Sequence, residues 1–152
     1  MDLFVFLSIY MSNIKFFYQS PLPVFKHRTA LKSFLLDAAA TNNRPISSLN
    51  IIFCTDEYLL SINQDFLSHD YYTDIVTFDL SPTTAHPIEG ELYISIDRVK
   101  ENAITHNDTF IKELHRIIFH GVLHLLGFKD KDVSDQILMR DKEDEFLSSY
   151  FS

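Results

Sequence analysis

Hydrophobic and polar positions change period several times along the chain, and each change marks an element. Asn13 to Tyr18 carries Ile14, Phe16, Phe17 and Tyr18 and stops before Pro21 and Pro23, which predicts a strand followed by a break. From Val24 to Ala40, Phe25, Ala30, Leu31, Phe34, Leu35 and Ala38 fall at helical spacing, with Lys26, Arg28 and Lys32 among them. Ser48 to Thr55 reads as a buried strand. Thr55 or Asp56 is placed to cap a helix reaching Phe66, with Tyr58, Leu59, Ile62 and Phe66 on one face.

Two strand-like runs follow, Asp74 to Leu80 and Glu89 to Ile96, joined by the turn-rich SPTTAHP, so a hairpin is expected. Asp97 to Ala103 reads as a short helix. Asn107 or Asp108 offers an N-cap to a long helix ending near Phe128, and Ser134 to Tyr150 is amphipathic through Ile137, Leu138, Phe146 and Leu147. The order β-α-β-α-β-β-α-α-α predicts a mixed α/β (α+β) fold, a small mixed sheet of about four strands packed with about five helices.

Composition narrows the chemistry. The 152 residues are 46% hydrophobic and 22% charged, as expected of one globular domain. The lone Cys54 excludes an internal disulfide framework and a CxxC zinc site, and sits in a buried strand where it reads as inert. Three glycines are too few for a Gly-rich phosphate loop. The first ten residues, MDLFVFLSIY, lack a basic lead and are too short to span a bilayer. They read as an N-terminal extension, with residues 11–152 forming the domain. The expected compartment is the cytoplasm, with no membrane partner.

The formal net charge is −8, which argues against a non-specific binder of nucleic acid. The charge is uneven: residues 1–55 hold five basic and two acidic residues, and the remainder eight and nineteen. A polyanion would approach the first third of the chain.

The informative stretch is His115 to Asp132. His120 and His124, four apart in a helix, project from one face about a turn apart, which suits two nitrogens on one metal. Gly127 can take the left-handed conformation that reverses the chain, and a reversal there brings Asp130 level with the histidines. Two histidines alone are a weak signal. The glycine and the third donor make the set specific, and N, N, O ligands plus a water form the catalytic zinc pattern, with His120 and His124 acting through the water. This spacing overlaps that of the metzincin proteases, which need Glu directly after the first histidine as general base; here that position is Gly121.

The chain resembles the YbeY endoribonucleases, bacterial ribosomal RNA maturation factors. Their signature H-G-x-L-H-L-x-G-[FY]-D-H is matched by HGVLHLLGFKD, His120 to Asp130, with Gly121, Leu123, Leu125, Gly127 and Phe128 on pattern. Leu60–Leu80 is similar to the family's L-N-…-D-x-x-T-D-V-L-S-F block through Asn63, Asp70, Thr73, Asp74 and Phe78, and Glu89–Asp97 to its G-D-I-x-I-S segment. The resemblance implies a cytoplasmic endoribonuclease, one Zn²⁺ per chain and specificity for single-stranded RNA. Its partners would be ribosomal RNA and the ribosome, in rRNA processing and ribosome quality control, with no DNA substrate.

Two departures stand out. Asp130 occupies the family's third histidine position, with Lys129 before it, and Leu67 replaces the arginine of the family's F-R-G-K-D stretch. A carboxylate is a legitimate zinc ligand but favours harder ions more than histidine does. Lys26, Arg28, Lys32, His69 and Lys129 are the candidate RNA contacts. Two other classes stay open: a metzincin-like metalloprotease, and a non-catalytic ribosome-associated factor with a structural metal. His27, His69, His86, His106 and His115 read as solvated or capping, Thr73 and Asp74 as turn formers, and Glu113 as an exposed helix carboxylate. Asp141, Glu143, Asp144 and Glu145 read as a solvated acidic face.

Overall fold

The computed structural model describes residues 13–22 and 25–152; the expected N-terminal extension lies outside them. Among these described residues four strands and five helices follow in the predicted order. They are β1 (Asn13–Tyr18), α1 (Arg28–Thr41), β2 (Ile46–Cys54), α2 (Asp56–Leu67), β3 (Ile75–Asp79), β4 (Ile88–Ser95), α3 (Ile96–Thr105), α4 (Phe110–Leu125) and α5 (Val133–Phe151).

The sheet runs β1-β2-β4-β3. β1 pairs with β2 and β2 with β4 in parallel, while β3 returns antiparallel to β4, so the predicted hairpin is present. Strand alternation divides the faces. Leu49, Ile51 and Phe53 of β2 and Ile88, Leu92 and Ile94 of β4 join the main core with α1, α4 and α5. Cys54, Val76 and Tyr93 make a smaller cluster with Leu59 of α2.

α4 is buried on most sides, through Leu114, Ile118, Phe119, Val122 and Leu123 among others. That is what an almost continuously apolar helix requires. Gly121 lets it lie close on the sheet: a Cβ there would come 2.8 Å from Ile75 Cδ1 and from Leu92 Cδ2.

The helix ends correct the sequence reading in places. α1 starts at Arg28, because His27 adopts a left-handed conformation (φ 62°); Val24 lies outside the described residues. The cap of α4 is Thr109, whose hydroxyl accepts from Lys112 N at 3.1 Å. Asn107 (φ 52°) and Asp108 still belong to the turn closing α3, with Asp108 N donating to Ala103 O. α4 stops at Leu125, three residues before the expected end.

A candidate metal centre at the end of α4

The stop at Leu125 builds the site. Gly127 has φ 101°, its N–H donates to His124 O, and the N–H of Phe128 donates to Leu123 O. This is a Schellman closure, which needs a residue tolerant of positive φ. The reversed chain carries Asp130 back beside the last turn of α4. Gln136 of α5 holds it there by donating to Asp130 O at 3.1 Å.

His120 and His124 then face each other, Nε2 to Nε2 at 3.0 Å, with their rings nearly perpendicular. Asp130 Oδ2 lies 3.2 Å from His124 Nε2 and 3.4 Å from His120 Nε2. One donor atom from each residue falls within 4.8 Å of the others. The outer nitrogens are committed. His124 Nδ1 lies 3.0 Å from Phe128 O, and His120 Nδ1 lies 2.8 Å from Glu143 Oε2. A carbonyl only accepts, so His124 Nδ1 carries the hydrogen; the same assignment places a hydrogen on His120 Nδ1. Two neutral imidazoles of that tautomer turn bare Nε2 lone pairs toward each other and toward the Asp130 carboxylate. Three acceptors at such distances repel unless a proton or a metal ion sits among them, and this N, N, O set fits a divalent metal ion.

The titration of His120 expresses the same physics. Burial pushes its pKa down, but the hydrogen bond and charge of Glu143, with the charges of Asp130 and Asp74, outweigh burial and raise it above the usual histidine value. Glu143 belongs to α5 and is only 5% exposed. Its other oxygen lies 3.3 Å from Arg116, which also holds Asp144 at 2.9 Å.

Glu143 is thus no part of a solvated face, unlike exposed Asp141, Asp144 and Glu145. The signal was in the spacing: Met139, Glu143, Phe146 and Leu147 form the buried stripe of α5. Arg44 is a second residue that sequence reasoning missed. It is buried, pairs with Asp79 at 2.8 Å, and donates to Leu125 O, tying the end of α4 to the β3–β4 connection. Glu113 is also buried, 3.6 Å from His106 Nδ1. His115 is buried with Nδ1 on Ile111 O, and burial lowers its pKa. Neither has the solvated surroundings expected of it.

A cavity of about 550 Å³ opens over the cluster, with Leu67, His69, Tyr71 and Asp74 on its wall beside His120, His124 and Asp130. No Lys or Arg is among its described lining residues. Of the candidate RNA contacts, His69 is brought to this cavity. Lys129 is exposed next to Asp130. Arg28 and Lys32 line a separate hollow along β1, and Lys26 lies near the C-terminal end of α5. Thr73 donates to Ile75 O, a local contact at the cavity edge, whereas Asp74 accepts from Asn102 of α3 at 3.3 Å, a contact across the fold and not a turn.

Fold and cluster together define a mixed α/β architecture in which a buried helix presents a histidine pair, and the turn after it a carboxylate, to an open cavity. The family model described as Endoribonuclease YbeY matches residues 19–151, and the chain belongs to that family. It is 48% identical over 136 residues to the Endoribonuclease YbeY of Cytophaga hutchinsonii, covering 90% of this chain and 94% of that protein. Identity to the Flavobacterium psychrophilum protein of the same name is 43% over 125 residues, covering 82% and 88%. The solution structure of a Thermotoga maritima protein superposes with a TM-score of 0.61 at 26% identity, over 93% of this chain and 89% of that one.

Proposed function

We propose that this chain is a metal-dependent endoribonuclease that cuts single-stranded RNA during ribosomal RNA maturation and ribosome quality control in the cytoplasm. One Zn²⁺ per chain would be held by His120, His124 and Asp130. The observation that carries the reading is the convergence of three acceptor atoms with both outer imidazole nitrogens already engaged. A bound ion would supply Lewis-acid polarisation of a phosphodiester and a more acidic water.

The chain's own residues do the rest. Glu143 and Phe128 O fix the two imidazole planes, Gln136 holds the Asp130 backbone, and Arg44 anchors the end of α4. Family membership supports RNA as substrate. The metalloprotease reading loses support at Gly121, whose position faces Ile75 and Leu92 and leaves no room for a general-base carboxylate. Among the described residues no helix is long and apolar enough to cross a membrane.

The test is metal analysis of the purified protein beside cleavage assays on single-stranded RNA, duplex RNA and casein. The expected result is one zinc per chain and cutting of single-stranded RNA alone, abolished by chelator and by His124→Ala. A metal-loaded protein that leaves RNA intact would overturn the catalytic reading in favour of a structural metal.

A further inference from the structure

The cavity lined by His120, His124 and Asp130 also carries an aromatic feature outside the buried core. The rings of His69 and Tyr71 are stacked, 5.1 Å between centroids and 20° between planes, and the Tyr71 hydroxyl lies 3.0 Å from His69 Nδ1. Tyr71 is 56% exposed. The stack is held from below: buried Asn63 donates to Tyr71 O at 2.9 Å, and Gln64 binds the Asp70 carboxylate. The pair stands on the same cavity as His120, His124 and Asp130, where the described lining has no cation and Leu67 stands on the wall. Among the described lining residues a polyanion meets Asp74, Asp130 and the Arg44-paired Asp79, and no Lys or Arg side chain. Beyond the phosphate at the proposed metal, affinity for the strand has to come from something other than side-chain pairing with phosphates.

Resting on the proposed RNA substrate, we infer that the Tyr71–His69 stack is a nucleobase platform. It seats one unpaired base of the RNA on the exposed Tyr71 ring and so places the neighbouring phosphodiester over the cluster. Unstacked bases are the part of single-stranded RNA that aromatic side chains recognise, largely without regard to sequence. A duplex offers no such face, so the platform selects for single strands.

The test uses the full, metal-loaded chain and a short oligouridylate. Tyr71→Ala should raise KM for cleavage about tenfold with kcat little changed, as expected for the loss of one base stack. Anisotropy with the labelled oligomer in chelator should show the same loss of affinity. That loss should be equal at low and high salt, because no charge is removed. Tyr71→Phe, which keeps the ring, should stay close to the parent. Metal content should be unchanged in both variants, which separates this role from a structural one. If Tyr71→Ala binds and cuts the oligomer as the parent does, the platform is wrong and the RNA reading stands. If the parent itself neither binds nor cuts it, both fall.

Discussion

His120 Nδ1 and Glu143 Oε2 lie 2.8 Å apart, although the two residues are 23 positions apart on different helices. The contact does more than join α4 to α5. It fixes the imidazole plane, keeps the hydrogen on Nδ1 and leaves Nε2 bare toward the site, as carboxylate–histidine pairs behind metal ligands do. Glu143→Ala should therefore lower metal affinity by about 10–100-fold, measured by competition with a chromogenic chelator. Arg116 keeps Asp144 as a partner, so the variant should still fold. Glu143→Gln, which can accept from Nδ1 without the charge, should fall between the two. Equal metal affinity in parent and Ala variant would remove Glu143 from the site.

The pH dependence of the metal-free protein follows from two histidines shifted in opposite directions. His120 is raised above the ordinary 6.5, mainly by Glu143 acting against burial, so the folded state holds a proton that the unfolded chain releases. Its contribution is full below about pH 6.5 and is lost as pH climbs through the raised value. His115 is lowered by burial, so the unfolded chain takes up a proton first, and stability falls as pH drops below about 6.5. Asp79 and Asp132 are both lowered from 3.8 and titrate well below this range. In the presence of chelator, Tm should pass through a maximum near pH 6.5. Glu143→Gln should flatten the alkaline limb only. A Tm indifferent to pH between about 5 and 8 would contradict both assignments.

Asp130 and Asp132 are separable by experiment. Asp132 accepts from Asp135 N at 2.8 Å as the N-cap of α5 and also from Ser134, and those hydrogen bonds lower its pKa. Its Oδ1 serves the helix, whereas Asp130 Oδ2 lies beside both Nε2 atoms, which makes Asp130 the third donor. Asp130→Ala should lose metal readily to chelator, and Asp130→His should retain it. Asp132→Ala should lower Tm through the lost cap and leave metal content unchanged. The reverse pattern would move the third ligand to Asp132.

The element order, the hairpin and the His–His–Asp set were legible because each rests on local spacing: period 2 in the strands, four residues in α4, and a glycine at the reversal. What escaped was carried by pairing across the fold. Glu143 looks like one of four acids in a row, and only the apolar partners Met139, Phe146 and Leu147 mark its side of α5 as the inner one. Arg44 is a lone cation in a polar turn until the fold brings Asp79 and Leu125 O to it from 35 and 81 residues away. Helix ends differ from the sequence reading where backbone conformation decides them, as at His27 and Asn107, whose residue types favour positive φ without fixing where it occurs.

Gly121 separates the nuclease reading from the protease one most directly. In the metzincin pattern the residue after the first histidine supplies a carboxylate to the metal site. Here that position points into the layer between α4 and the sheet, where a Cβ would already press on Ile75 Cδ1 and Leu92 Cδ2 at 2.8 Å. Both contacts are side-chain tips, so Gly121→Ala should be absorbed by small shifts at a cost of about 1–3 kcal/mol, read as a lower Tm. Gly121→Glu would have to bury a carboxylate among Ile75, Leu92 and their neighbours with no cation beside it, which costs far more than the methyl. That variant should fail to fold, or fold with the glutamate forcing α4 off the sheet, and in neither case cleave casein. A Gly121→Glu protein that melts with the parent and cuts casein would show that position 121 faces the cavity, and would return the site to the protease class.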